Sequence, residues 1–153
     1  LHLDHRRQRQ MCIRDRNKSY FRIKMHAIAS NHFKIISKIN GVKGVFILDT
    51  GALSTFIDIS LKDKFKLKSK TSLIEASGAG PNKLTTQLSK NNSIKIGSWR
   101  SEKFQILLID LSNVNNAFAS IKTQAVDGII GADILKTGNG ILDYEKRYLY
   151  LKY

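Results

Sequence analysis

Apolar residues from Tyr20 onward come in short runs separated by turn residues, the pattern of an all-β domain. Phe33 to Ile39 (FKIISKI) alternates in part, Asn40-Gly41 follows, and Val42 to Leu48 (VKGVFIL) resumes the apolar run. Asn-Gly between two such runs predicts a tight hairpin, because both residues accept the positive φ angles of a type I′ turn. The second strand runs straight into Asp49-Thr50-Gly51, and Ser54 to Asp58 predicts the next strand. Leu61 to Leu67 predicts a short helix, with Ser60 as N-cap and Asp63 in its first turn.

Further along, Thr71 to Leu88 is polar and carries Ser77-Gly78-Ala79-Gly80-Pro81, a loop composition that includes the chain's only proline. Ile94 to Ile96 and Phe104 to Ile109 flank Gly97-Ser98 as a second hairpin, with Trp99 expected to cover the core beside that turn. Asn113 to Lys122 fits a helix or a loop. Val126 to Ile130 predicts a strand, Gly131 to Lys136 a short helix, and Ile141–Asp143 with Tyr148–Leu151 a closing hairpin. No heptad pattern, long repeat or linker divides the chain.

Composition changes this picture little. A chain of 153 residues is sized for one domain with a real core. No apolar run approaches the roughly 20 residues of a membrane-spanning helix. The net charge of +14 raises the question of an anionic partner. The lysines are spread from end to end, so most of the charge reads as solvated surface, with nucleic acid the lesser reading. Residues 1–16 (LHLDHRRQRQMCIRDR) are Arg-rich where the rest is Lys-rich and resemble translated adapter sequence. Their five Arg and two Asp contribute +3, so the remainder is still at +11. The domain is therefore read as residues 17–153, behind a non-native or disordered leader.

Most chemistry is excluded by context. Cys12, in that leader, has no disulfide partner within the chain and no activating neighbourhood. The four histidines lack metal-ligand spacing, and His26 and His32 read as strand surface. Ser54 lacks a Gly-x-Ser-x-Gly frame, and Gly138-Asn139-Gly140 is not followed by the Lys-Ser/Thr of a phosphate loop. Asp58, Asp63 and Asp110 read as surface charges. No metal and no cofactor is expected.

The exception is Asp49. A carboxylate between an apolar strand and a Thr-Gly turn is costly unless it is hydrogen-bonded or functional. Ile47-Leu48-Asp49-Thr50-Gly51-Ala52 resembles the active-site motif of pepsin-like aspartic proteases. About eighty residues on, Val126-Asp127-Gly128-Ile129-Ile130-Gly131-Ala132-Asp133-Ile134-Leu135 resembles their second hallmark, two apolar residues and a glycine followed by a short helix. The closing ILDYEKRYLYL resembles the terminal hairpin of bacterial single-domain members. The likeness covers roughly Lys24 to Lys152 and is nearest to the bacterial retropepsin-like aspartyl proteases.

That resemblance implies an all-β, closed acid-protease barrel with one or two short helices. It implies an aspartic endopeptidase with Asp49, Thr50 and Gly51 as its catalytic loop. Ala52, Leu53, Ile129 and Ile130 are then expected at the peptide substrate, under a flap at Ser77, Gly78, Ala79 and Gly80. Gly131 and Asp133 are expected to support the site. Only one Asp-Thr-Gly is present, and the chemistry needs two carboxylates, so a homodimer is expected to complete the site. Ala52 stands where some members carry Ser, and Leu53 where many carry a small or polar residue. The rival reading is a catalytically inactive dimerisation or peptide-binding module on the same fold. No signal peptide is recognisable, and a bacterial cytoplasmic location is expected unless the natural N-terminus lies upstream.

Overall fold

The computed structural model describes residues 20–72 and 86–153. Its centre is the predicted hairpin. Strand β3 (Phe33–Ile39) and β4 (Val42–Leu48) pair antiparallel in register from Phe33↔Leu48 to Ile39↔Val42. Asn40 and Gly41 turn between them at φ of 49° and 83°, the geometry their side chains allow. Along β3, Ile35, Ser37 and Ile39 are buried while Ile36 and Lys38 face outward. This period of two places one face of the strand against a core.

Two short strands precede this hairpin, β1 (Phe21–Lys24) and β2 (His26–Ala27). After it come β5 (Phe56–Asp58), β6 (Ser69–Ser72), β7 (Thr86–Ile96) and β8 (Trp99–Ile109), then helix α1 (Ser112–Ser120). The chain continues through β9 (Gly128–Ile130) and helix α2 (Ala132–Thr137) and closes with β10 (Ile141–Asp143) and β11 (Tyr148–Leu151). The larger sheet has the order β2-β3-β4-β9-β5-β8-β7-β6. An added β3–β7 pairing closes its middle six strands into a barrel, as the sequence led one to expect. A second sheet, β1-β11-β10, packs beside it. Phe46, Phe65, Met25, Ile57 and Trp99 fill the core, all between 0% and 1% exposed. Burial of each such side chain contributes about 1.5–3 kcal/mol. Trp99 also donates its indole N–H to the Lys152 carbonyl (3.1 Å), tying the chain's end to the β7–β8 turn.

The structure corrects four sequence expectations. Residues 61–67 form no α-helix: a 3-10 turn at Ile59–Leu61 leads into successive turns. Phe65 and Leu67 are both buried, with Lys66 between them at a φ of 54°, a spacing and a backbone that a helix does not permit. The cap is Asp58 rather than Ser60. Asp58 is 8% exposed, so it is no surface charge, and it accepts from Ser60 N–H (2.9 Å), Ser60 Oγ (2.6 Å) and Leu111 N–H (3.3 Å). Strands β7 and β8 run well beyond their apolar segments. Ser89 and Asn92 are buried in β7, and Asn92 Nδ2 donates to Ser89 Oγ (3.0 Å). Asn92 Oδ1 accepts from Asn40 Nδ2 (3.0 Å). Polar side chains that satisfy one another can take inward positions, which hides a strand from a hydrophobicity reading. Finally, His32 lies in the turn before β3 and not on a strand, though it is exposed as expected.

Candidate active site

The two strands flanking the Asp49 loop are both paired to one short strand. β4 leads into the loop and runs parallel to β9 (Phe46↔Gly128, Ile47↔Ile129, Leu48↔Ile130). β5 leaves the loop and runs antiparallel to β9 (Phe56↔Ile129, Ile57↔Gly128). β9 thus threads between the entry and the exit of the loop. This requires close approach. A Cβ on Gly128 would stand 2.2 Å from the Phe56 carbonyl oxygen, and one on Gly131 would stand 2.4 Å from that of Ser54. Neither backbone neighbour can yield, so only glycine fits at either place.

The loop is fixed through its main chain. Asp49 N–H donates to the Ile130 carbonyl (3.0 Å), continuing the β4–β9 ladder by one residue. Ala52 N–H donates back to the Asp49 carbonyl (3.3 Å), and the Ala52 carbonyl accepts from Ala132 N–H (2.7 Å) at the start of α2. Beneath the loop lies a bracket of side chains. Asp133 Oδ2 accepts from Thr55 N–H (2.6 Å), and Asp133 Oδ1 accepts from Thr55 Oγ1 (2.7 Å) and from Ile134 N–H (2.8 Å). The same Thr55 hydroxyl accepts from Gly131 N–H (3.2 Å). Thr55 is fully buried. One carboxylate and one hydroxyl therefore join the exit of the loop, the end of β9 and the first turn of α2.

The Asp49 carboxylate is differently placed. It is half-buried, and Oδ1 accepts from Gly51 N–H (2.8 Å). Its other oxygen has no partner among the described residues. It borders a hollow of about 150 Å³ lined also by His32, Phe33, Leu48, Thr50, Leu142 and Tyr144. Tyr144 packs at a tilt against Phe33 with ring centroids 5.6 Å apart. Thr50 and Gly51 are exposed, and Leu53 is 74% exposed at the tip of the loop. Among the described residues, no group of three or more His, Cys, Asp or Glu side chains is placed to hold a metal ion.

Of the residues singled out by sequence, Asp49, Thr50, Gly51, Ala52 and Leu53 stand on the loop, with Ile129, Gly131 and Asp133 directly behind it. Ile130 needs correction. Its side chain is fully buried in the core, and what it offers the site is its carbonyl. Ser77, Gly78, Ala79 and Gly80 lie outside the described residues, as does the 1–16 leader. Sequence reasoning missed Thr55, read only as part of a strand, and missed Phe33, Leu142 and Tyr144. Thr55 carried a signal, a hydroxyl residue six positions after the aspartate and directly before the apolar pair Phe56-Ile57. Phe33 carried one as well, since the Asn40-Gly41 hairpin sets it opposite Leu48, while Leu142 and Tyr144 carried none, because their place beside Asp49 depends on how the second sheet docks.

No helix among the described residues is long and apolar enough to cross a membrane. A search of curated proteins returns no match. Among solved structures, the fold is similar to a retropepsin-like aspartic protease from Rickettsia conorii. The two are 21% identical, the alignment covers 88% of this chain and 92% of that one, and the TM-score is 0.56. It is similar also to the retroviral protease-like domain of Ddi1 from Leishmania major, at 16% identity, 77% and 86% coverage and a TM-score of 0.54. A third likeness is to EIAV protease complexed with the inhibitor HBY-793, at 18% identity, 73% and 92% coverage and a TM-score of 0.51. The superpositions establish a shared retropepsin-like fold, and at these identities the fold alone. A model of the aspartyl protease family matches residues 35–134, more than half of the chain and the whole span from β3 to the first turn of α2, and the chain belongs to that family.

Proposed function

We propose that this protein is an aspartic endopeptidase whose active site is completed by a second copy of the chain. The observation that carries the reading is the contrast within the site: a carboxylate left with an open oxygen at a hollow, on a loop whose backbone is fixed on every side. Such a group is held ready for chemistry and is not spent on stability. The hollow, about 150 Å³, is smaller than the several hundred Å³ of a peptide-sized site. A twofold axis beside Asp49 would double it and bring a second Asp49 alongside the first.

Two carboxyl groups about 3 Å apart share one proton, because both cannot be ionised at that distance. The ionised member takes a proton from a water as its oxygen attacks the scissile carbonyl carbon. The protonated member donates to the carbonyl oxygen, giving a tetrahedral diol. The first carboxyl then gives its proton to the amide nitrogen while the second takes one back from a diol hydroxyl, so the C–N bond breaks, amine and acid leave, and the shared proton is restored. Thr50 reaches across the axis to brace the partner loop, Gly51 N–H orients one carboxylate oxygen, and Asp133 with Thr55 and Gly131 keeps the loop from shifting. Ala52, Leu53 and Ile129 border the substrate, with Ser77 to Gly80 as the flap that excludes water.

The deciding experiment measures cleavage of a mixed peptide library from pH 3 to 8, with sedimentation of the wild type and of Asp49→Asn. Cleavage by a wild-type dimer, abolished by the substitution and by statine inhibitors, upholds the reading. A well-folded dimer that cleaves nothing at any pH would make the chain a binding module instead.

A further inference from the structure

The lysines that look scattered along the sequence are not scattered in the fold. On the outer face of the barrel, Lys43 on β4 stands opposite Lys38 on β3, Lys38 opposite Lys95 on β7, and Lys95 opposite Arg100 on β8. All four are exposed. They form a row of cations across four strands, about 14 Å long at the usual spacing between strands. Like charges directly opposite one another on a sheet are destabilising. No carboxylate relieves them: among the described residues the one ion pair is Lys64–Asp127. Glu102, two residues past Arg100, is the nearest acid in sequence and pairs with none of them.

The middle of this row forms a wall of a groove of about 450 Å³, to which Arg22 and Lys24 add two more cations, His26 a titratable ring and Ile36 an exposed apolar side chain. The groove has no carboxylate in its lining. It is separate from the catalytic loop, since Lys38 lies five residues along β3 from Phe33, about 17 Å by strand rise.

We propose that this row and groove bind the phosphate backbone of double-stranded nucleic acid, without regard to sequence. A phosphate backbone asks only for cations and donors in a line. A protein partner would call for aromatic anchors at the centre of the patch, and the groove lining has no Phe, Tyr or Trp. Tyr148 stands beside the groove, but its ring is already engaged by Arg22 (4.8 Å) and Lys24 (4.6 Å) and is not a free stacking platform for a single strand. The net charge, still +11 without the leader, adds long-range attraction for a polyanion.

The test is fluorescence anisotropy of a labelled random duplex of about 20 base pairs with the full chain, from roughly 50 to 200 mM salt. Three proteins are compared: wild type; a row variant carrying Lys38→Gln, Lys43→Gln, Lys95→Gln and Arg100→Gln; and a control of equal charge carrying Lys62→Gln, Lys122→Gln, Lys136→Gln and Lys146→Gln. The row variant should lose about tenfold or more in affinity, and its slope of log K on log salt should flatten by about two, as for loss of two or more phosphate contacts. The control should stay within about threefold of wild type. Melting of the row variant should be no lower than wild type, because the repulsion is gone. The proposal fails if the wild type does not bind duplex, or if both variants weaken equally, which would leave net charge as the whole cause. It fails as well if an acidic peptide displaces the duplex at equal charge concentration, which would assign the groove to a protein.

Discussion

Asp49 and Asp133 stand on the two sides of one backbone layer, and they use their oxygens in opposite ways. Asp133 accepts three hydrogen bonds, from Thr55 N–H, Thr55 Oγ1 and Ile134 N–H, each between 2.6 and 2.8 Å. Asp49 accepts one, from Gly51 N–H, and turns its second oxygen to a hollow. The first carboxylate is consumed by the fold and the second is kept free of it. The difference teaches that a carboxylate left open to a hollow owes its freedom to a saturated neighbour that holds its loop.

Substitution at the two sides should separate these roles. The largest effect is on activity: Asp49→Asn should lower cleavage about a thousandfold or more, a barrier increase of roughly 4 kcal/mol, while leaving thermal stability within about 0.5 kcal/mol. A matching loss of stability, read by melting, would mean that Asp49 is structural like Asp133. Gly131→Ala should come next, in stability, because the added methyl meets the Ser54 and Ala52 carbonyl oxygens at 2.4 and 2.7 Å. Denaturant titration should show a loss of about 3 kcal/mol, at or above the upper end for overpacking. Thr55→Val should cost about 1–3 kcal/mol, since it keeps the volume but leaves Gly131 N–H without a partner and Asp133 Oδ1 with Ile134 N–H alone. It should also lower activity of the folded protein, because the loop above loses its brace.

Two smaller effects sharpen the contrast. Ala52 offers no hydroxyl to an ionised dyad, so the pH–rate profile should peak in the mildly acidic range. Ala52→Ser should move its acid limb to lower pH, and an unmoved profile would place residue 52 outside reach of the dyad. Asp110 is a third kind of carboxylate, exposed yet structural. The Ser112 hydroxyl, and after it the Ser112 N–H, holds its carboxyl below the usual carboxylate range at the start of α1. A depressed acid stabilises the fold above its unfolded value and loses that contribution as pH falls through the lowered folded value. Asp110→Ala should therefore lower the melting temperature slightly at neutral pH and make no difference in strong acid.

Local signals were legible where the chemistry of a few neighbouring residues settles the backbone. Asn40-Gly41 fixed its turn, the run before Asp49 fixed its strand, and the Asp-Thr-Gly and Ile-Ile-Gly stretches located the Asp49 loop and the strand behind it. The 61–67 segment misled because Ser60 and Asp63 look like helix-start residues, while Asp58 outbid them for the local amides. Strand β7 reads too short because its inward polar residues Ser89 and Asn92 bond each other, and Asn92 also bonds Asn40, a partner that only the β3–β7 pairing brings near.

The sequence by itself determined the β character of the chain, its hairpins and the loop on which Asp49 stands, since each rests on residues within one or two turns or strands of each other. Only the tertiary structure decided that Thr55 and Asp133 meet across 78 residues, that Leu142 and Tyr144 come to Asp49, and that four cations from four strands stand in one row. The reason is register. The pairing of distant strands sets which side chains are opposite one another, and a shift of a single residue would send each to the other face of the sheet.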